Sequence, residues 1–384
     1  MIASHLAESL TESSILVLTD LSIIGRFKFP QNVDYVHLPG IAGKADRQYD
    51  ASNLNIALEN VLKIRRKITQ SAAKSFQPNL IFIERDPFSL QSEMQRFLAF
   101  VREELPATKV IWGFPDVYGE PQAIVRDWTE AGIYQALDRF CDEIWVYGVK
   151  EIFDQAREYQ MPASIAGKTF YVGYLRPPRA HSRRVHNDIL RFNRQKPIVL
   201  ITAGSGADGY SLIDNYLRYL ESAGASVPFQ SIIITGPMMR THDKQMLMSR
   251  AQKLPGVIFH RFSRHMLRYV RHADLVICTG GYNTLCEILT FRKKAICVPT
   301  LSPPHEHFLR ARIFERLGAV KLLHPSNLTP ENLGAMIKAT VFSAPGHAFH
   351  NRGEDIPLDG LQRIAERARA LNGEPEFILQ QAVS

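Results

Sequence analysis

An apolar run, Leu275-Val-Ile-Cys278, leads through Thr279 into Gly280 and Gly281, and then into Asn283, Thr284 and Glu287. A strand that turns through glycine into a helix leaves the first helical N–H groups unpaired. Those groups, with about half a positive charge of helix macrodipole, suit a diphosphate. Glu287 admits two readings. With Thr284 it spells a capping box, in which the carboxylate only reaches back to the helix start. From the same place a carboxylate accepts hydrogen bonds from a ribose diol, and spacing alone leaves both readings open.

A second glycine-rich turn, Gly204-Ser205-Gly206 with Asp208 and Gly209, follows the apolar run 198–202. Glycine permits positive φ and lets backbone amides approach a phosphate closely. Two such turns at the carboxyl ends of strands in one sheet point to a ligand crevice. Neither turn is followed by Gly-Lys-Ser/Thr, and neither completes Gly-x-Gly-x-x-Gly with an acid at the following strand end. Kinase-type ATP use and simple dinucleotide binding are therefore disfavoured. A third segment, His305-Glu306-His307, follows Pro299, Pro303 and Pro304. Alternate histidines occur at metal sites, but no further Cys, His or Asp cluster completes a ligand set, so no metal is expected. The prolines fix the approach of this loop, and Glu306 and His307 present polar groups near a helix start, suited to sugar hydroxyls.

The elements that must carry these groups are legible in the alternation of the chain. Short β-rich runs at 15–19, 33–38, 80–84, 110–113, 143–147 and 169–172, and again at 198–202, 231–235, 257–259, 275–278 and 295–298, are separated by amphipathic helical stretches. Continuous apolar strands spaced by helices predict parallel sheets covered on both faces. The fold class is α/β, with two doubly wound, Rossmann-like units in tandem. A length of 384 residues and 45% apolar content support two cores. The expected division is an N-terminal domain over 1–176, a proline- and arginine-rich linker over 177–194, a C-terminal domain over 195–355 and a terminal helix over 356–384 that packs back on the first domain.

A net charge of +8 is compatible with nucleic acid, anionic lipid or a phosphorylated small molecule, and by itself decides nothing. Cys141, Cys278, Cys286 and Cys297 form no Cys-x-x-Cys pair, which suits a reducing, cytoplasmic setting. No window reaches the roughly 18 apolar residues of a membrane span. Residues 1–10 have the helical spacing Ile2, Leu6, Leu10 and run straight into the first strand, so the sequence as given starts inside a helix. If a strand ordinarily central to such a sheet is missing, its two neighbours carry unpaired ladder groups at roughly 1–3 kcal/mol apiece.

These motifs together resemble the GT-B glycosyltransferases of family 28, closely over about 198–320 and in element order over most of the chain. Asp142-Glu-Ile-Trp-Val-Tyr-Gly148 with Tyr171-Val-Gly173-Tyr-Leu175 is similar to a bacterial subgroup of that family. The resemblance implies two domains facing a central cleft and closing over the substrates. It makes Gly204, Ser205 and Gly206 the first phosphate loop, Ser263 the contact to the base, and Gly280, Gly281, Asn283 and Thr284 the diphosphate-binding helix start. It makes Glu287 the ribose contact and places Glu306 and His307 at the donor sugar. His307 departs from the family's glutamine, which leaves the sugar open.

The family's N-terminal glycine-rich loop with its histidine base has no counterpart here, since His5 lies within the first helix. The candidates left for a general base are Asp86 and Asp116, both at strand ends. The implied activity is transfer of a sugar from a UDP-linked donor to an unidentified acceptor, without metal or other cofactor. Nucleic acid is not an expected partner, and peripheral contact with the inner face of a membrane stays open. A UDP-sugar 2-epimerase and a non-catalytic nucleotide-sugar binder are the alternatives.

Overall fold

The computed structural model describes residues 1–43, 49–51, 54–84, 93–177, 187–193, 195–301, 305–343 and 356–373. The chain forms two compact units. One comprises Met1–Pro115, Pro121–Gly173 and the described part of 359–384; the other comprises Asp116–Glu120 and Tyr174–Leu358. Asp86 and most of the proline- and arginine-rich stretch, 178–186 and 194, lie outside the described residues.

In the first unit, strands β1 (Ile15–Thr19) and β2 (Val33–His37) pair in parallel. A separate parallel sheet runs in the order β5 (Leu80–Ile83), β6 (Lys109–Pro115), β7 (Glu143–Tyr147) and β8 (Thr169–Tyr171). Between them in sequence, β3 (Ile41–Gly43) and β4 (Tyr49–Ala51) form a short antiparallel pair outside the strand–helix alternation. Three-residue strands are too short to show periodicity, which is why the sequence pattern does not announce them. A single doubly wound sheet is thus realised here as two ladders. Among the described residues, both β1 and β5 are bonded on one side only.

Arg65, on the helix Leu58–Phe76, ties these pieces together at the carboxyl ends of the strands. Its guanidinium donates to Glu93 at 3.0 Å, Asp20 at 3.1 Å and the Pro39 carbonyl at 2.6 Å, and it is 1% exposed. Asp20 follows β1, Pro39 lies two residues beyond β2, and Glu93 opens the helix after β5. The core of this unit is aromatic: Trp112, Trp128 and Trp145 are all fully buried. The Trp145 indole donates to Glu143, which also receives Arg367 from the helix Gly360–Leu371. Arg367 lies 3.3 Å from the centroid of the Phe170 ring, so the last helix is held on this unit by charge and by stacking.

The second unit is one six-stranded parallel sheet in the order β11 (Val257–His260), β10 (Gln230–Ile234), β9 (Ile198–Thr202), β12 (Leu275–Cys278), β13 (Lys294–Cys297) and β14 (Lys321–Leu322). Strand order reverses between β9 and β12, which is the switch point where open α/β sheets bind ligands. Every residue of β10 and β12 is buried, as strands covered on both faces require. All four cysteines are free and buried. Among the described residues no helix is long and apolar enough to cross a membrane. The expected linker is not wholly solvated, since Asp188 on the helix Asn187–Leu190 is buried against His260 at 2.7 Å and Tyr269 at 2.7 Å.

Arg65→Ala is predicted to destabilise the first unit by about 3 kcal/mol, because it strands partly buried acceptors that lose their cation. All three tryptophans belong to that unit. Their fluorescence in urea isolates the effect, and an unchanged midpoint would remove Arg65 from the account of this fold.

Candidate functional site

Register brings the candidate loops of the second unit together. Thr202 pairs with Ile234 on one side and Cys278 on the other, Cys278 pairs with Cys297, and Ile234 pairs with His260. The segments that follow these residues, 203–209, 235–240, 261–265, 279–281 and 298–301, therefore emerge side by side at the carboxyl edge of the sheet.

The glycines in the first turn divide their work. Gly204 and Ser205 are exposed at its tip, and a Cβ on Gly204 would meet nothing. Gly206 is buried with φ 93°, and a Cβ there would collide with the Thr235 carbonyl oxygen. Gly206 therefore serves loop-against-loop packing, while Gly204 and Ser205 form the exposed tip and the Gly204 amide donates to the Thr202 hydroxyl at 3.3 Å. The turn is pinned by the Met238 amide donating to the Ser205 carbonyl at 2.8 Å.

The helix Tyr282–Phe291 starts from Gly281 with no side-chain cap. This decides the two readings of Glu287. Thr284 lies in the first turn and not at the cap, so the capping box does not form. Glu287 has no hydrogen-bond partner among the described residues, and burial alone pushes its carboxyl up to about 8. Asn283 is exposed and Thr284 buried. Gly280 has φ 82°, and its Cβ position is 3.1 Å from the His307 carbonyl oxygen, so the turn is closed against the start of the helix Glu306–Arg316.

The most buried charge in this unit was not singled out by sequence reasoning. Arg310, with no exposed surface, donates to Asp116 at 2.7 Å, to the Val117 carbonyl at 3.2 Å and to the Gly280 carbonyl at 3.3 Å, and pairs with Glu306 at 2.6 Å. Burial disfavours its charge, but Asp116 and Glu306 more than offset this and hold it above the ordinary arginine range. Asp116 also accepts from the Val117 amide at 2.9 Å and the Tyr174 hydroxyl at 3.3 Å.

Asp116 is thus engaged in holding a buried guanidinium, and this geometry argues against its expected part as a free general base. Glu306 is likewise turned back onto its own helix toward Arg310. The one available signal was the i, i+4 spacing of Glu306 and Arg310.

His307 is half-buried, its Nδ1 3.2 Å from the Thr300 hydroxyl, with Nε2 3.8 Å from where a Cβ on Gly281 would stand. Burial lowers its pKa; Glu306 and Asp208 pull it up and Arg310 pushes it down. Ser263 caps the turn into the helix Met266–His272, its hydroxyl accepting from the His265 amide at 3.0 Å. Structure therefore gathers Gly204, Ser205, Gly280, Gly281 and His307 around the switch point, with Glu287 along the same helix and Ser263 on the loop two strands away.

A switch-point site with an uncapped helix start, in a chain of two tandem α/β units, defines the GT-B architecture. Residues 196–352, which fall in the second unit, match the Glycosyltransferase family 28 C-terminal domain. A relative from Haemophilus influenzae (strain PittGG), the UDP-N-acetylglucosamine--N-acetylmuramyl-(pentapeptide) pyrophosphoryl-undecaprenol N-acetylglucosamine transferase, is 24% identical over 163 residues. That match covers 42% of this chain, and the chain spans 45% of the relative's length.

Among solved structures, MurG of Acinetobacter baumannii superposes with a TM-score of 0.58 at 15% identity, over 96% of this chain and 95% of that one. A candidate UDP-N-acetylglucosamine 2-epimerase from Listeria monocytogenes superposes at 0.65 with 9% identity, over 99% and 95%.

Glu287 gives a pH prediction with a definite sign. Its folded carboxyl keeps its proton to about 8, whereas the unfolded one releases it near 4.5. The folded state therefore binds the extra proton between these values, and its stability falls as pH rises through them. Glu287→Gln is expected to remove that fall. The check is the change in urea midpoint between about pH 5 and about pH 9, followed by circular dichroism; equal changes in both proteins would refute the burial argument.

Proposed function

We propose that this protein is a glycosyltransferase that holds a nucleotide diphosphate sugar, UDP-linked, in its second unit and passes the sugar to an acceptor taken by its first. One observation carries the reading: an uncapped helix start at residues 281–284 with an unpartnered carboxyl, Glu287, on the same helix, inside the region that matches family 28. Helix-start amides without a side-chain cap suit the diphosphate and the carboxylate suits the ribose diol.

In the transfer, the bond from the sugar's anomeric carbon to the diphosphate oxygen breaks with its electron pair on the diphosphate. The acceptor oxygen bonds to that carbon, and a general base takes the acceptor's proton. The helix-end amides and Gly204–Ser205 stabilise the charge that develops on the leaving group, so the proposed chemistry needs no metal. Asp86 stays as the proposed base. The Haemophilus influenzae relative is named for a lipid-linked acceptor; an acceptor of that kind, met by a cytoplasmic enzyme at a membrane surface, is part of the same proposal.

A second reading is favoured by the superposition on the candidate 2-epimerase, which shares the architecture over nearly the whole chain. An epimerase needs the donor site and no acceptor.

The experiment is calorimetric titration with UDP, ADP and GDP, followed by incubation with a panel of UDP-sugars. UDP is expected to bind in preference to the others, and Glu287→Ala to weaken it by about tenfold or more, the worth of a hydrogen bond to a charged group. No preference for UDP would sink the donor assignment. The manno epimer appearing from UDP-N-acetylglucosamine alone would instead establish the epimerase. Binding without hydrolysis or transfer of any donor would leave a non-catalytic binder.

A further inference from the structure

His307, which the family resemblance places at the donor sugar, has no part in the transfer steps above. His307 stands at the second position of the helix Glu306–Arg316, and its carbonyl backs the Gly280 turn. Its Nδ1 is taken by the Thr300 hydroxyl from the loop after β13, at 3.2 Å. Only Nε2 is left for a ligand, and it lies beside Gly281, at the mouth of the helix Tyr282–Phe291. That is where the uncapped helix start would seat a phosphate.

The charged groups that face the ring are known from each side. Glu306 and Arg310 lie on its own helix, and Asp208, on the glycine-rich turn after β9, acts on it electrostatically. Glu306 is already paired with Arg310 at 2.6 Å. A diphosphate would add negative charge beside Asp208, and an imidazolium at His307 counters it. A neutral amide side chain at this position donates a hydrogen bond but brings no charge.

We propose that His307 is an ionisable phosphate contact, whose Nε2 takes a proton from solvent as the donor's diphosphate arrives and donates a hydrogen bond to its distal phosphate, so that the contribution of His307 to donor affinity grows as pH falls. The inference rests on the nucleotide-sugar reading of this site and adds to it a proton coupled to binding. Burial lowers the ring's pKa, which favours the neutral imidazole until a diphosphate binds beside it.

The test compares UDP affinity of the intact protein and of His307→Gln by calorimetry at about pH 6, 7 and 8, in buffers of differing ionisation enthalpy. The ligand's own titration and that of Glu287 are common to both proteins and cancel in the ratio. The ratio of wild-type to variant affinity is expected to fall on the order of tenfold over this range, one pKa unit's worth. The wild type should also take up more protons per UDP than the variant. Uridine, which has no phosphate, should bind both proteins alike at every pH, which also shows that the variant site is folded. A pH-independent ratio, or the same pH-dependent difference with uridine, overturns the proposal while leaving the donor site intact. A wild-type protein that binds no UDP overturns both.

Discussion

The second unit of this molecule is built around a buried cation. A guanidinium with no exposed surface is tolerated only where acceptors surround it, since stripping it of water costs several kcal/mol that attraction must repay. Arg310 meets that condition with two carboxylates and two carbonyls, Asp116, Glu306, Val117 and Gly280. The last of these matters for the proposed function, because the Gly280 carbonyl belongs to the turn that opens the helix Tyr282–Phe291, the proposed diphosphate contact. Well-packed apolar side chains often match a buried ion pair in stability. They do not offer five donors in a rigid fork, and that fork fixes a left-handed glycine turn, a helix start and the Asp116–Glu120 segment relative to one another.

How much of this was legible follows from the range of each interaction. The Gly280 turn, the helix after it and Glu287 lie within eight residues, and local spacing announces them. The alternation of apolar strands and helices likewise foretold parallel sheets, and β9 to β13 fall where the pattern put them. Arg310 and Asp116 are 194 positions apart, and no periodicity in the chain links them. Asp116 therefore read as a free acid at a strand end.

The capping box failed for a subtler reason. Thr-x-x-Glu has the same spacing whether the threonine is the cap or sits in the first turn, and only the backbone tells which. Gly281, with φ −64° and ψ 143°, is the cap. The equivalence of Gly204 and Gly206 broke in the same way. One glycine faces open space and the other packs against Thr235, a distinction made by a neighbouring strand and invisible along the turn itself.

In the proposed site the two ends of the donor place opposite demands on protons. Burial raises the Glu287 carboxyl to about 8 and lowers the His307 ring, so near neutral pH the empty site holds both side chains largely uncharged. A ribose diol is bound best by a carboxylate, so its arrival drives a proton off Glu287. A diphosphate is bound best by an imidazolium, so its arrival drives a proton onto His307. A donor that carries both groups makes both changes at once, and the net exchange with solvent is small. The intact protein would then show a shallow pH profile assembled from two steep and opposed ones. Flatness in such a profile would indicate two ionisations set against each other across one ligand, and the charges the ligand needs would be formed by its own binding.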